Sequence, residues 1–592
     1  MTLHPSRRNA LVAFALALLA LVALMRGGRA VDIPRDEAIY FEASRHYQDF
    51  GAEVLHAPSK LFDAKARDRA FVFNAEHPPL MKNLAALSRG LFSRAPAKGE
   101  AKSSKASSHA GLIPLASERA ALRLPAQLLA ALGVALLAFV AAGYARRRGG
   151  GVVLQTSAAL VAGLGFITLP RVAFHATLHT FDLPIAVATL VVVLAYRRGR
   201  KDLRWAGFTG ILLGLAIVVK HNALFLGPLL ALHHGYAWLR DRRSEAPQSG
   251  RQLVAPVLVA GATLAPLVAL AMWPWLWTAP VERLADYFEF HAQHSWYNME
   301  FGGANYNRPP MPIAYPFVMT AATVPAVWLV AALVATVSGR LARAEASTPE
   351  ANASEARPFD AHASEVSTES PRVRRSLRWG CLPATAPDHE LALWLGMALF
   401  PILLIALPSI PIFGGTKHWL TAYPFLMLLA ARAWVDLWCA WDDRGRLAHP
   451  AVLPLATALV LLPGLWATMN GHPYNLSQYS AFAGGPRGAA EAGLNRGFWG
   501  YTLGDGLAQD LPERTPVYLH DIHSLAQTQY EREGRWPGWR VVGVGRARAA
   551  FFFYERHMQS DEVAIWEALG TRAPRSLVTL DDVPLAATYA AP

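Results

Sequence analysis

The chain has 592 residues, 53% of them hydrophobic and only 17% charged, where an ordinary soluble domain carries roughly 25% charged residues. That composition excludes a disordered or coiled-coil protein, and the gathering of apolar residues into long runs argues against one large soluble enzyme. The net charge of +13 would suggest nucleic acid in a soluble protein, but basic loops on one side of a membrane produce the same excess, while two cysteines, Cys381 and Cys439, exclude a disulfide scaffold or a Cys-rich metal cluster.

A helix needs about 20 mostly apolar residues to cross a bilayer. Such runs occur near 10–27, 119–143, 152–170, 182–196, 205–220, 223–239, 252–277, 313–338, 391–409, 418–440 and 451–469. The fold class they predict is a polytopic α-helical membrane protein with about 11 transmembrane helices. The first run follows Arg7-Arg8 and precedes Gly28-Arg29-Ala30, which loosely resembles a cleavage site. Retained span and removed leader both leave everything after residue 30 on one side.

Three regions fall outside the runs. Residues 28–118 are expected to form a long outer loop, with a solvated Lys/Ser/Ala stretch from Ser93 to Ala110. Residues 340–388, rich in Ala, Ser, Glu and Arg, read as a disordered linker on the inner side. The division is thus a transmembrane unit over 1–470 and an outer unit over 471–592. The latter is long enough for a small domain. Its strand-like runs (Pro516 to His520, Arg540 to Val544, Ala550 to Tyr554, Ser576 to Leu580) alternate with helical ones, which predicts a small α/β domain.

Short loops set the orientation. Arg7 and Arg8, Arg146 to Arg148, Arg197, Arg198, Arg200 and Lys201, Arg240, Arg242 and Arg243, and Arg444 with Arg446 fall on one side. The opposite short loops hold little beyond Arg171, Lys220 and Lys417. The basic side is the cytoplasmic one, so the N-terminus is expected inside and the C-terminal unit outside.

Polar groups at membrane depth or at its rim are costly and usually functional. Here they gather on the outer side: Asp36-Glu37 with Tyr40 and Glu42, then Glu76-His77-Pro78-Pro79 with Lys82. Arg171, His175, His179 and Asp182 follow, and then Lys220-His221 and Lys417-His418. Each has a plainer reading. Asp36 and Glu37 suit a solvated loop, His77-Pro78-Pro79 a rigid turn, and Lys220 a side chain snorkelling to a headgroup. His175 and His179, four apart, share a helical face that suits a metal, but no third ligand stands at diagnostic spacing, and interfacial histidines explain them better.

A first span followed by Asp-Glu-x-x-Tyr-x-Glu (Asp36, Glu37, Tyr40, Glu42) resembles the polyprenyl-phosphate-dependent glycosyltransferases of the GT-C fold. This superfamily includes the protein O-mannosyltransferases and the lipid A aminoarabinose transferases. His77 to Leu80, Phe181-Asp182, Gly214 to Lys220, Lys417 with Tyr423-Pro424, and the stretch from His472 to Gly500 are similar to its further markers. The long Ala/Ser-rich insertions and shorter C-terminal part depart from the lipid A enzyme. The resemblance implies transfer of a sugar from a polyprenyl-phosphate donor to a hydroxyl of a protein, lipid or cell-envelope glycan, at the outer face of a bacterial inner membrane. It also implies direct displacement with inversion. Donor, acceptor and membrane lipid are the expected partners, and nucleic acid is not one.

Charge chemistry then distributes the roles. Asp36 is the expected catalytic base; a positioned base contributes roughly 10²–10⁴ in rate. Glu37 is expected to orient the acceptor, the loop or a metal, and Asp182, where the helix dipole favours an anion, the loop or the sugar. Lys82, Arg171, Lys220 and Lys417 are the cations for the leaving lipid phosphate. Tyr40, Glu42, His77, His221 and His418 are expected to meet the acceptor or sugar, or to shape the loop. No cofactor is demanded, and a divalent metal is permitted, with His175 and His179 as its candidates. A lipid-linked sugar transporter or flippase is the competing reading, and it predicts polar groups along a path through the bilayer. A scaffolding protein leaves the outer motifs unexplained.

Overall fold

The computed structural model describes residues 4–94, 111–242, 255–293, 296–346, 389–412, 414–442, 449–507, 509–555 and 558–592. Most of the expected solvated stretch 93–110 and of the expected linker 340–388 lies outside these residues.

In chain order the first nine helices are α1 (Pro5–Gly27), α2 (Arg35–His56), α3 (Ala64–Phe71), α4 (Leu80–Phe92), α5 (Glu118–Arg147), α6 (Val152–Ile167), α7 (Pro170–Thr177), α8 (Asp182–Gly199) and α9 (Leu203–Val219). Apolar helices follow at Leu226–Arg242, Pro256–Ala271, Tyr315–Thr323, Ala326–Ala346, His389–Ile405, Tyr423–Asp442 and Val452–Gly471. α1 buries Ala13, Leu16, Ala20 and Leu24, a three-and-four spacing that gives one stripe, and lies along α5. Small residues let backbones approach where lipid offers no hydrophobic contrast. A Cβ at Gly214 of α9 would fall 2.7 Å from the Ala265 carbonyl oxygen of the neighbouring helix.

Every predicted span holds helix, yet the expected count of eleven crossings does not follow from the helices. Among the described residues, four are long and apolar enough to cross alone: Pro5–Gly27, Glu118–Arg147, Gly415–Trp441 and Val452–Gly471. Two bent pairs, α6 with α7 at 68° and Tyr315–Thr323 with Ala326–Val337 at 116°, bring the number to six. Leu203–Val219, Pro256–Ala271 and His389–Ile405 are apolar but shorter. The expected outer loop is itself helical, since α2, α3 and α4 fold back over the bundle around Tyr47, Phe50, Phe71 and Ala86.

The C-terminal part contains the expected small α/β unit. After a hairpin of β1 (Met299–Phe301) and β2 (Ala304–Tyr306), it contributes β3 (Pro516–Leu519), β4 (Arg540–Val541), β5 (Ala549–Phe553), β6 (Ser576–Leu580) and β7 (Val583–Ala590). These five form one sheet in the order β4-β3-β5-β7-β6. β3 runs parallel to β4 and β5, and β7 antiparallel to β5 and β6. Successive strand residues face opposite sides. Phe552 therefore packs with Ile565 and Leu569 beneath the helix Gln559–Leu569, while Phe551 and Phe553 join Val31, Ile33, Phe41 and Tyr530. That second cluster is continuous from the first loop into the sheet, so no gap in the packing marks residue 471.

Charges reinforce the seam. Arg532 of the helix Ser524–Arg532 reaches Glu42 at 2.8 Å, Arg35 reaches Asp521 at 2.9 Å, and Tyr530 donates to Asp32 at 3.1 Å. Arg119 grips Glu533 through Nε and Nη2 together. Burial pushes the Glu42 and Glu533 carboxyls up, but Arg532 and Arg45 around Glu42, and Arg119 beside Glu533, outweigh it and hold both below the ordinary 4.5. The stability they contribute is therefore full above about pH 4.5 and drains away as the pH falls through their folded values. Asp32, raised by burial, works in the opposite sense as the single member of that set. Hydrogen exchange of Ser524–Arg532 is expected to lose protection between about pH 5 and pH 3, before the apolar helices do.

Candidate functional site

α2 opens on Arg35, so Asp36 and Glu37 stand in its first turn about 100° apart around the axis. One of the two must face the bundle, and it is Glu37. Its side chain is 0% exposed and meets Arg123 of α5, itself 1% exposed, through two parallel bonds of 2.8 and 2.6 Å. Glu37 Oε1 also accepts from the His179 backbone N–H at 2.7 Å. Arg123 spends its remaining donors on the carbonyls of Gly28, Val31 and Asp32. Of the roles expected for Glu37, its contacts fit orienting the loop: it is fully buried against Arg123 of α5 and the His179 N–H.

Asp36 turns the other way, and its side chain remains 29% exposed, 3.6 Å from Lys417 Nζ. Gly414 and Gly415 both adopt positive φ, +74° and +60°, which glycine alone adopts freely. A Cβ at Gly414 would collide with the Lys417 side chain, and one at Gly415 would crowd Arg171 Nη1 at 3.2 Å. The Gly-Gly turn thus brings these two cations side by side. Lys417 Nζ also lies 4.1 Å from the centre of the Trp499 ring, and the Arg171 guanidinium 5.0 Å from that of Tyr479.

Asp182 begins α8, and Lys220 ends α9 in an extended conformation. Lys220 Nζ donates to Asp182 Oδ1 at 2.7 Å, and His175 Nδ1 stands 3.7 Å from Asp182 Oδ2. His175 in turn packs edge-on against Trp499 at 5.5 Å. Lys417 acts on both Asp36 and Asp182. Six expected residues from four stretches of the chain (Asp36, Arg171, His175, Asp182, Lys220, Lys417) thereby share one cluster, roofed by Trp499.

The remaining candidates lie elsewhere or do something else. Lys82 is a correction: its ammonium is 0% exposed and donates to the Asn74 carbonyl at 2.7 Å, the His77 carbonyl at 2.8 Å and Asn74 Oδ1 at 3.3 Å. Burial pushes it down to about 7. It ties the loop and has no donor left for a phosphate. His77 Nε2 meets the Tyr40 hydroxyl at 3.3 Å, and burial holds the imidazole well below its usual range. Both rings pack on Phe181, so this pair shapes the loop ahead of α8. Glu42 is engaged by Arg45 and Arg532 at the seam, away from the cluster. His221 bonds Tyr287 at 3.0 Å and stacks near His291, flanking Lys220. His418 is half-buried beside Lys417.

His175 and His179, the candidates for a permitted metal, part ways in the fold. His179 Nε2 bonds Ser44 at 3.1 Å, whereas His175 faces Asp182, so the two rings serve different neighbours. Among the described residues no three His, Cys, Asp or Glu side chains converge in a way that could hold a metal ion.

Three contributors escaped the sequence reading of the site. Arg123 lies inside an apolar run and looks like one residue of a span. Asp32 is a lone acid beside the better-marked Asp36-Glu37 pair. Trp499 takes φ +79°, a conformation rare for a bulky side chain, and its carbonyl accepts from the Arg35 N–H at 2.9 Å. Such strain persists where the surroundings impose it, and only its place in the stretch from His472 to Gly500 hinted at it.

No protein-family model matches the chain, and no curated protein matches it by sequence. Among solved structures it is similar to ArnT from Cupriavidus metallidurans bound to undecaprenyl phosphate, with 13% identity over 97% of each chain and a TM-score of 0.43. The apo state of that protein gives 14% identity over 97% of this chain and 96% of the other, again at 0.43. The Archaeoglobus fulgidus oligosaccharyltransferase, tethered to an acceptor peptide containing the NVT sequon, gives 11% identity, 94% and 71% coverage, and 0.38. Likenesses of this size lend no residue a role, and the side chains of this chain carry the reading below.

Breaking the buried pair on one side strands a charge. Arg123→Ala is expected to cost about 3–5 kcal/mol, read as a lowered Tm in detergent. Lys82→Met is expected to lower Tm as well while leaving the affinity of the folded fraction for a lipid phosphate unchanged, measured by titration with a short-chain polyprenyl phosphate.

Proposed function

We propose that the chain is an integral-membrane glycosyltransferase that moves a sugar from a polyprenyl-phosphate donor to a hydroxyl acceptor at the extracytoplasmic face, by direct displacement. The observation that carries this reading is the division of labour among the acids: Glu37 is consumed by Arg123 and Asp182 by Lys220, while Asp36 stays accessible beside cations. An accessible carboxylate next to fixed positive charge is what such a transfer needs. The acceptor oxygen attacks the anomeric carbon and its proton passes to Asp36. The bond from that carbon to the phosphate oxygen breaks, and the phosphate leaves with the electron pair. Lys417, Lys220 and Arg171 are the cations this reading assigns to offset that growing charge. Inversion at the sugar follows from a single displacement.

Asp182 holds Lys220 in place, and Trp499 packs on Lys417 and His175. The carboxylates need no metal for this step. The transmembrane unit over 1–470 supplies the charged groups, and the unit over 471–592 roofs them. The N-terminus is assigned to the cytoplasm and the C-terminal unit to the periplasm of a bacterial inner membrane, from the sidedness of the arginines. A protein, a lipid and an envelope glycan all present the hydroxyl this chemistry requires.

Asp36→Asn is expected to lower sugar transfer in reconstituted vesicles by roughly 10²–10⁴, with insertion and donor binding retained; full activity in that variant removes the base. Lys220→Gln and Arg171→Gln are expected to weaken binding of the polyprenyl phosphate. Mass spectrometry of envelope glycans from cells with and without the active protein identifies the transferred residue. Translocation of a lipid-linked sugar with no new glycosidic bond would instead establish the transporter.

A further inference from the structure

The helices that end at the Asp36 cluster begin or finish, at their other ends, around a second feature. α1 runs from Pro5 to Gly27, α5 from Glu118 to Arg147, and α8 from Asp182 to Gly199. The 18 residues of α8 separate Asp182 from that far end by about 27 Å at 1.5 Å per residue, close to the roughly 30 Å of a hydrocarbon core. At the far end lies a cavity of about 1200 Å³. Its rim and its wall differ in kind.

Eight Lys or Arg side chains line the cavity against two carboxylates, Asp202 and Glu390. Both carboxylates are occupied. Glu390 pairs with Arg147 at 3.5 Å and Arg197 at 2.5 Å, and Asp202 caps α9 by accepting from the Arg204 N–H at 2.8 Å. Arg200 Nε and Nη2 are buried with no hydrogen-bond partner among the described residues, and Lys201 beside it is exposed. A buried donor left unmatched is costly, and a basic cluster with its acids spent attracts an anion.

The wall says which kind of anion. Leu132, Leu136 and Phe139 form one stripe of α5 in the cavity, and Val191 and Leu194 of α8 face it. Leu132 and Phe139 remain 42% and 37% exposed. A soluble phosphate has no use for such a stripe, whereas a lipid offers a phosphate to the rim and acyl chains to the wall. We propose that this cavity binds an anionic phospholipid of the leaflet remote from Asp36, with Arg200 and Lys201 at its phosphate. The site stands apart from the transferase reading and survives its failure.

The test uses the full purified chain in detergent with equimolar phosphatidylglycerol and phosphatidylcholine, bound lipid being counted by native mass spectrometry. Preferential retention of phosphatidylglycerol is expected. Each neutralised basic group is expected to reduce the preference about fivefold, so Arg200→Gln with Lys201→Gln should leave little of it. Equal retention of the two lipids by the unmodified chain, or an unchanged preference in the double variant, overturns the proposal. A photoreactive phosphatidylglycerol on the unmodified chain, which needs no variant to fold, is expected to label 132–148 and 191–201. Labelling confined to other segments overturns it, as does binding of inorganic pyrophosphate here with no enrichment of phosphatidylglycerol.

Discussion

The Arg123–Glu37 pair governs the geometry of everything near it. Two fully desolvated charges are expensive unless their geometry is good and their remaining lone pairs and protons are met. Here Glu37 takes two bonds from the guanidinium and one from the His179 N–H, and Arg123 binds three carbonyls of the turn before α2. One interaction therefore sets the start of α2 against α5 and fixes the approach to α8. With Glu37 pinned inward, helical geometry turns Asp36 outward. The exposure of Asp36 is the mirror image of the burial of Glu37.

A second constraint is the segregation of charge along the helices. Asp182 and Lys220 stand at one end of α8 and α9, while Arg197, Arg198 and Arg200 stand at the other. Between them the helices are predominantly apolar, as an element in hydrocarbon must be. Acids and bases pair at the first end. At the second, arginines outnumber their acids.

Long apolar runs were legible in the sequence because length and composition alone decide them, and each of the expected spans does hold helix. Whether each crosses alone was not, since the bends at 168–169 and 324–325 depend on packing. In the C-terminal unit four strands were visible from β-branched and aromatic runs. β7, the longest at eight residues, was not, because Pro584 and its alanines carry little strand signal. Within the site, the shared sidedness of Asp36, Asp182, Lys220 and Lys417 was readable from loop positions. Their pairing was not, because contacts between residues hundreds of positions apart leave no spacing to read. Lys82 illustrates the converse: a Lys three residues after Pro79 looked available, and only burial showed that its donors are spent.

Trp499 carries a consequence for how the protein is made. The ring that walls Lys417 and His175 belongs to a stretch synthesised after the last apolar helix. A nascent chain already threaded into the bilayer as far as Gly471 still has an open, unroofed pocket. The pocket around Lys417 and His175 therefore gains its Trp499 wall only after residues beyond Gly471 emerge and fold back onto it.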